Sequence, residues 1–186
     1  MSIKTKMFNK KASNPKNKPD KIIEALKLQK GQNVADIGSG GGYFSLRFAE
    51  KVGREGQVYA VDTNAEFLKF IEENARKKEL RNLKIIHTTE ERVSLPTDVD
   101  LIFIRNVCHH LPERGEYFKN LKEILKPEGK IAIIEYTPGG FNFRRIFGHY
   151  VERETIVREM EEAGYTVKES FDFLPEQSFT VFSPEL

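Results

Sequence analysis

The chain has 186 residues, of which 39% are hydrophobic and 31% are charged, with one cysteine and no tryptophan. A single domain of roughly 100–200 residues accounts for that length and can bury a core without disulfides. One cysteine excludes a disulfide framework and a multi-cysteine metal site, and no apolar run approaches the roughly 20 residues of a membrane-spanning helix. The Lys-rich start has no apolar segment behind it, as a secretory signal would. We therefore expect a cytoplasmic protein.

The formal net charge of +2 is unevenly distributed. Residues 1–21 hold seven Lys and one acid, Asp20, a charge of +6, which leaves −4 on the other 165 residues. We predict a basic N-terminal arm over residues 1–18 and one domain over residues 19–186. Two interpretations of the arm stay open. It is either a solvated, partly disordered tail, or a contact for nucleic acid or an anionic membrane surface.

Helix and strand patterns alternate along the chain. The predicted strands are residues 33–37, 57–61, 83–86, 99–104, 130–136, 165–173 and 178–182. The first predicted helix follows Pro19 and extends as far as Leu28. Further helices are predicted over 43–51, 64–78, 112–125 and 153–163, with Asn64 as an N-cap. This alternation predicts a mainly parallel sheet with helices on both faces. The last two strands have only four residues between them, too few for a parallel crossover, so they must pair antiparallel.

The first strand runs into a glycine-rich turn that precedes a helix. The turn reads Asp36-Ile-Gly38-Ser39-Gly40-Gly-Gly42. A dinucleotide fingerprint needs glycine at the first, third and sixth positions, and the sixth is Tyr43 counted from Gly38 and Ser45 counted from Gly40. That fingerprint places a pyrophosphate on bare helix amides, whereas a ligand without phosphate needs only close approach to the backbone. The acid at the strand end, Asp36, suits a ligand that carries an amino group and a sulfonium.

Two further strand ends carry polar candidates. Asp62 ends the second strand, about 20 residues beyond the turn, where an acid can accept hydrogen bonds from both hydroxyls of a ribose. Glu90, in Thr88-Thr-Glu90-Glu91, follows the third strand, where a polar residue can meet an adenine amine. The plainer interpretations are a tight turn for the glycines, a helix cap for Asp62 and solvated charge for Glu90.

These motifs, in this order, resemble those of the class I S-adenosylmethionine-dependent methyltransferases. The chain is methyltransferase type 11-like and distantly similar to the ubiquinone/menaquinone C-methyltransferases, over roughly residues 20–182. Asp36 to Gly42 resembles the cofactor motif, Asp62 the ribose-binding acid, Asp100 the acid of the fourth strand, and residues 125–133 the entry to the fifth strand. The resemblance implies a Rossmann-like, seven-stranded, mainly parallel sheet with an antiparallel last strand. It also implies S-adenosylmethionine as cofactor, S-adenosylhomocysteine as product, and cofactor contacts from Asp36, Gly38, Ser39, Gly40, Gly42, Asp62, Thr63, Glu90 and Asn106.

The loop after the fourth strand, Arg105-Asn106-Val-Cys108-His109-His110, bears on the acceptor. It lacks the Asn/Asp-Pro-Pro-aromatic motif of base-amine methyltransferases and the Pro-Cys of cytosine-C5 enzymes, and one cysteine is too few for arsenic chemistry. Methyl transfer depends mainly on proximity and in-line placement, and a base is needed only where a proton must leave the acceptor. We predict His110, Asn106 and Glu135 as catalytic candidates, Cys108 as a packed residue, and no metal site, because the two His have no third ligand.

The leading prediction is methyl transfer to a small-molecule acceptor. The alternatives are a methyltransferase that acts on RNA or protein through the basic arm, and a non-catalytic S-adenosylmethionine-binding partner subunit. A quinone acceptor is less favoured, because the chain has no sizeable insert that would wrap a polyprenyl chain. Residues 141–150 are predicted to form either a lid, with Arg144 and Arg145 for a carboxylate or phosphate, or a surface helix. The sequence does not specify the oligomeric state.

Overall fold

The structure, a computed structural model, describes residues 3–137 and 150–185. Its strands are β1 (Val34–Ile37), β2 (Val58–Asp62), β3 (Leu83–His87), β4 (Val99–Arg105), β5 (Leu125–Tyr136), β6 (Tyr165–Phe171) and β7 (Gln177–Pro184). Its α-helices are α1 (Ile3–Ala12), α2 (Pro19–Ala25), α3 (Tyr43–Val52), α4 (Ala65–Lys77), α5 (Arg114–Asn120) and α6 (Arg153–Glu162). Short 3₁₀ helices cover Pro15–Asn17, Cys108–His110 and Leu121–Glu123.

The strands form a seven-stranded sheet in the order β3-β2-β1-β4-β5-β7-β6. Strand β2 pairs parallel with β1 and β3, and β4 pairs parallel with β5. Strand β7 runs antiparallel to both of its neighbours, β5 and β6. The predicted mainly parallel sheet with an antiparallel last strand is therefore confirmed, including the antiparallel pairing that the short β6–β7 connection requires.

The chain divides into two compact units, Met1–Thr89 and Glu90–Leu186. In the first unit, α4 packs on β2 and β3 and buries Ala60, Leu68 and Ile71. The start of α4 is set by Asn64, whose Oδ1 accepts hydrogen bonds from the amides of Glu66 and Phe67, at 2.9 and 3.2 Å. The predicted N-cap is thus confirmed, and it satisfies two amides that have no partner within the helix.

In the second unit, β4 and β5 supply the most deeply buried strands. Ile102, Phe103 and Ile104 of β4 have no exposed surface, and residues 131–134 of β5 are at most 1% exposed. Continuous apolar runs of this kind are typical of parallel strands that are covered on both faces. Helix α6 packs against α5 and β6, and a two-pronged ion pair joins Arg114 to Glu159, with Nε–Oε2 at 2.7 Å and Nη2–Oε1 at 2.9 Å.

Three elements differ from the sequence-based prediction. Helix α1 was not predicted, because its residues have little apolar periodicity; it contacts α3 in the same unit. The helix predicted for 112–125 is shorter, as α5 ends at Asn120 and the chain continues as a 3₁₀ turn. Strand β5 begins at Leu125 instead of Lys130, because Leu125 pairs with Val99 before the register shifts. The domain boundary at residue 18 stays a prediction.

Within the described residues, no helix is both long enough and apolar enough to cross a membrane.

Candidate active site

The glycine turn between β1 and α3 is built from left-handed backbone. Gly38, Gly40 and Gly42 have φ of +72°, +54° and +79°, a region that residues with a Cβ rarely occupy. The turn is tied to β2 by two hydrogen bonds, from the amides of Gly38 and Ser39 to the carbonyl of Val61, at 2.8 and 3.0 Å. These glycines are therefore required by the backbone geometry of the turn.

Gly42 is also required by packing. A Cβ added to Gly42 would lie 2.5 Å from Cγ1 of Ile71, on helix α4. A Cβ on Gly40 would meet only the Gly38 carbonyl oxygen, at 3.9 Å, among the described residues. The turn is thus packed tightly against Ile71 at Gly42, whereas there is space beside Gly40.

Asp62, the predicted ribose-binding acid, binds the turn directly. Its Oδ2 accepts a hydrogen bond from the amide of Gly40 at 2.8 Å, and its Oδ1 accepts one from the amide of Asn64 at 2.9 Å. Burial raises the pKa of the Asp62 carboxyl above its usual value, while hydrogen bonds from the amides of Asn64, Gly40 and Thr63 act in the opposite direction. The structure therefore brings two predicted site residues together across 22 positions of sequence.

Asp36, at the end of β1, is only 3% exposed. Its carboxylate accepts a hydrogen bond from the hydroxyl of Ser45 on α3. Sequence analysis did not single out Ser45 as a site residue and noted it only because it stands where a dinucleotide fingerprint has glycine. The signal that could have found it is a hydroxyl two residues into a helix that follows a strand-end acid.

Ser39 has a buried hydroxyl to which the described residues offer no hydrogen-bond partner. A buried polar group without a partner costs on the order of 1–3 kcal/mol, so it is a place where a ligand atom would be stabilising. Two further predicted contacts, Thr63 and Glu90, are exposed. Thr63 accepts a hydrogen bond at its carbonyl from Nε2 of His87 at 3.0 Å, if that nitrogen carries the proton, and Glu90 lies in the second unit.

In the second unit, Asn106 follows β4 with φ of +57°, one of the few non-glycine residues in this region. Its amide donates to the carbonyl of Ile134 at 2.8 Å, and its side-chain Oδ1 accepts a hydrogen bond from Nε2 of Gln177 at 2.6 Å. Gln177 begins β7 and is 7% exposed. Sequence analysis missed Gln177, because its proximity to Asn106 depends on the order of strands in the sheet.

Glu135 is fully buried near the end of β5 and binds His109, not His110. Oε1 lies 2.9 Å from Nδ1 of His109 and also accepts a hydrogen bond from the amide of Tyr136 at 2.9 Å. The His109 side chain is 7% exposed, whereas His110 is exposed and contacts the His109 ring at a centroid distance of 4.1 Å. The two predicted catalytic residues Glu135 and His110 are therefore not directly paired.

Cys108 is fully buried beside this pair. Burial raises the pKa of its thiol well above the usual value, and the nearby Glu135 acts in the same direction. A thiol held protonated is a poor nucleophile, which supports the prediction that Cys108 is a packed residue.

A cavity of about 660 Å³ lies where β5 and β6 end and β7 begins. The residues that line it include Thr137, Arg153, Ser170, Asp172, Gln177 and Ser178. Residues 141–149 of the predicted lid, with Arg144 and Arg145, lie outside the described residues. In the described part of the chain, no three His, Cys, Asp or Glu side chains are grouped as metal ligands would be.

Comparison with known proteins places this geometry in a family. Curated relatives include the demethylmenaquinone methyltransferases of Geobacillus sp. (strain WCH70), 26% identical over 130 residues, and of Geobacillus kaustophilus (strain HTA426), 28% identical over 131 residues. Each alignment covers 69% of this chain and 56% of the relative, so the chain spans little more than half the length of these relatives. A solved structure of an S-adenosylmethionine-dependent methyltransferase from Aquifex aeolicus matches with a TM-score of 0.84 at 24% identity, over 96% of both chains.

The fold is that of the S-adenosylmethionine-dependent methyltransferases, which confirms the predicted Rossmann-like architecture. The model of a family described as "Methyltransferase domain" matches residues 28–175. The chain belongs to this methyltransferase domain family. This membership confirms the predicted methyltransferase family, and the matching structure from Aquifex aeolicus is described as S-adenosylmethionine-dependent.

Proposed function

We propose that this protein transfers a methyl group from S-adenosylmethionine to a small-molecule acceptor. The observation that carries the cofactor part is the turn at Gly38–Gly42, where the Asp62 carboxylate holds the Gly40 amide and the buried Ser39 hydroxyl has no partner among the described residues. When bound, the cofactor supplies an electrophilic methyl group on a sulfonium. The space beside Gly40 and the unpartnered Ser39 hydroxyl fit a ligand that approaches the backbone closely.

The first unit supplies most of the proposed cofactor contacts. Asp62 uses the lone pairs that the Gly40 and Asn64 amides leave free to accept hydrogen bonds from ribose hydroxyls. Asp36 provides negative charge for the amino group and the sulfonium. The remaining contacts are proposed on the predicted motif alone: Thr63 beside the ribose, Glu90 at the adenine amine and the backbone of Asn106 after β4.

The second unit supplies a proposed proton acceptor. An ionised Glu135 accepts the Nδ1 proton of His109, so in the neutral ring the lone pair lies on Nε2. A base held in one tautomer by a buried carboxylate can take a proton from a hydroxyl or amine as it is methylated. We therefore propose His109 as the catalytic base and Glu135 as a positioning residue, in place of the predicted His110.

The acceptor is the least defined part of the proposal. Two relatives of this chain are named demethylmenaquinone methyltransferases, so a quinone-type acceptor belongs in any screen. The cavity beside Thr137 and Gln177 has a volume in the range of small-molecule sites, roughly 300–1,000 Å³. It supports a small acceptor rather than a macromolecule.

Two measurements test the function. Calorimetry should detect binding of S-adenosylhomocysteine but not of a nicotinamide dinucleotide, and the reverse result would reject the cofactor assignment. A screen of small molecules with isotopically labelled S-adenosylmethionine should then find labelled product. Cofactor binding without transfer to any acceptor would favour the non-catalytic partner subunit.

The basic arm favours one second candidate, transfer to RNA or protein. Lys10, Lys11 and Lys16 are exposed, and phosphate contacts by such residues make binding depend on salt. Deletion of residues 1–18 separates the two proposals. If the arm only steers binding to a nucleic acid, RNA affinity and its salt dependence should fall while labelling of a small acceptor stays unchanged. A cytoplasmic location is part of the same proposal and is tested by fractionation.

A further inference from the structure

Three side chains of the second unit form a hydrogen-bonded chain. Arg105 Nη2 donates to Oε1 of Gln177 at 3.4 Å, and Gln177 Nε2 donates to Oδ1 of Asn106 at 2.6 Å. Gln177 is 7% exposed, so water competes little for either of its ends. The chain begins at a cation and ends at the strand-end asparagine.

The chemistry of arginine determines the direction of this chain. A guanidinium donates hydrogen bonds and cannot accept them, so the Gln177 atom that faces Arg105 must be the carbonyl oxygen. The other end of the Gln177 amide is then a donor, and the Asn106 atom that meets it must be its oxygen. Arg105 therefore determines the orientation of both amides.

The consequence lies at the free end of Asn106. With Oδ1 bound to Gln177, the Asn106 side chain presents its NH₂ group, to which the described residues offer no acceptor. The backbone of Asn106 is held as well, by its left-handed φ of +57° and its hydrogen bond to Ile134. A donor fixed in this way selects ligand atoms that carry a lone pair.

We propose that Gln177 is a positioning residue that keeps the Asn106 amide turned so that its NH₂ group donates to an oxygen atom of the methyl acceptor. The acceptor molecules that fit carry a carbonyl, carboxylate or phenolate oxygen. This inference rests on the proposed methyltransferase function and deepens it by naming the chemistry that the acceptor must present.

The substitution Gln177→Glu should reverse the orientation of the Asn106 amide, and it hardly changes the shape of the side chain at position 177. The introduced carboxylate can only accept hydrogen bonds, so it keeps Arg105 and turns Asn106 until its NH₂ group points away from the ligand. Gln177→Met is the matched control, since it removes both hydrogen bonds and imposes no orientation. A purely structural role predicts that Gln177→Met is the more damaging change, whereas the proposal predicts that Gln177→Glu is.

NMR of the side-chain amides of the full chain tests the orientation without any activity. In the unsubstituted protein we expect slow solvent exchange for a Gln177 amide proton and fast exchange for those of Asn106. In Gln177→Glu the Asn106 protons should become protected. Protected Asn106 protons in the unsubstituted protein, or no change in Gln177→Glu, would overturn the proposal. This readout holds even if the screen finds no methyl acceptor, so it separates this inference from the function itself.

Ligand chemistry is tested with two neutral probes of one shape, 1-tetralone, which has a carbonyl oxygen, and tetralin, which has none. Titration of the unsubstituted protein with 1-tetralone should shift the Asn106 amide signals, and tetralin should not. Loss of one hydrogen bond with an unpaired group left behind should lower 1-tetralone affinity about tenfold in Gln177→Glu. Equal affinity in the two proteins, or a loss of S-adenosylhomocysteine affinity instead, would overturn the assignment to the methyl acceptor.

Discussion

The glycine turn in the first unit and the loop after β4 in the second are candidate sites that are built in different ways. The turn is made of backbone: three left-handed glycines and an amide held by Asp62. The loop depends on side chains that find partners far along the chain, His109 with Glu135 and Asn106 with Gln177. A site that is built from backbone groups can therefore be predicted from residue types. A site that is built from side chains depends on which strands become neighbours.

The largest expected effect is on the turn's packing. Gly42→Ala adds a Cβ at 2.5 Å from Ile71 in a left-handed residue, so backbone strain and overpacking together should lower the free energy of unfolding by about 3 kcal/mol. Gly31→Ala is the control, because its φ is +83° but the added Cβ only reaches Glu55 at 4.0 Å. It should cost about 1 kcal/mol of strain alone. Equal losses in urea melts of the two variants would show that Ile71 does not limit the turn.

Substitutions in the loop after β4 and at its partner Glu135 should lower the rate of methyl transfer and not the free energy of unfolding. Glu135→Gln keeps the shape but no longer fixes the His109 tautomer as an anion does, so kcat for labelled methyl transfer should fall about 100-fold. Glu113→Gln, a nearby exposed change, should leave kcat within threefold. His109→Asn should lower kcat as much as Glu135→Gln does, and more than His110→Asn does. The opposite ranking of the two His variants would restore the prediction from sequence that His110 is the base.

The Asp62 carboxylate, which we propose to bind the ribose, gives the next effect. Asp62→Asn replaces one acceptor oxygen by a donor, and loss of a charged hydrogen bond should lower S-adenosylhomocysteine affinity at least tenfold by calorimetry. Glu66→Gln, on the exposed first turn of α4, is the control and should bind normally. Unchanged affinity in Asp62→Asn would mean that the ribose lies elsewhere.

The smallest effect is expected at Asp100, the acid of the fourth strand. Its carboxylate pairs with Lys126 Nζ at 2.9 Å, and the two side chains are 23% and 41% exposed. A partly exposed pair of this kind contributes under about 1 kcal/mol. Asp100→Asn should therefore shift the melting temperature slightly and leave S-adenosylhomocysteine affinity unchanged. A clear loss of affinity would give Asp100 a role in the site that its ion pair does not suggest.

Much of the fold was accessible from the sequence because its signals are local. Alternating strand and helix patterns located all seven strands, and Asn64 located the start of α4. The short connection between β6 and β7 required their antiparallel pairing. One miss has a local cause, because α1 is polar and weakly periodic. The extra length of β5 was missed because it depends on pairing with a distant strand, β4.

The glycine turn can be recognised from residue types alone, because left-handed backbone needs glycine and an acid at a strand end is visible in the chain order. Which side chains meet depends on the tertiary structure. Glu135 binds His109 and not its neighbour His110, and Gln177 is hydrogen-bonded to Asn106, 71 positions away in the sequence. Those pairings follow from strand order and from the direction in which each side chain leaves its backbone. Neither the strand order nor the direction of a side chain can be read from the spacing of residues along the chain.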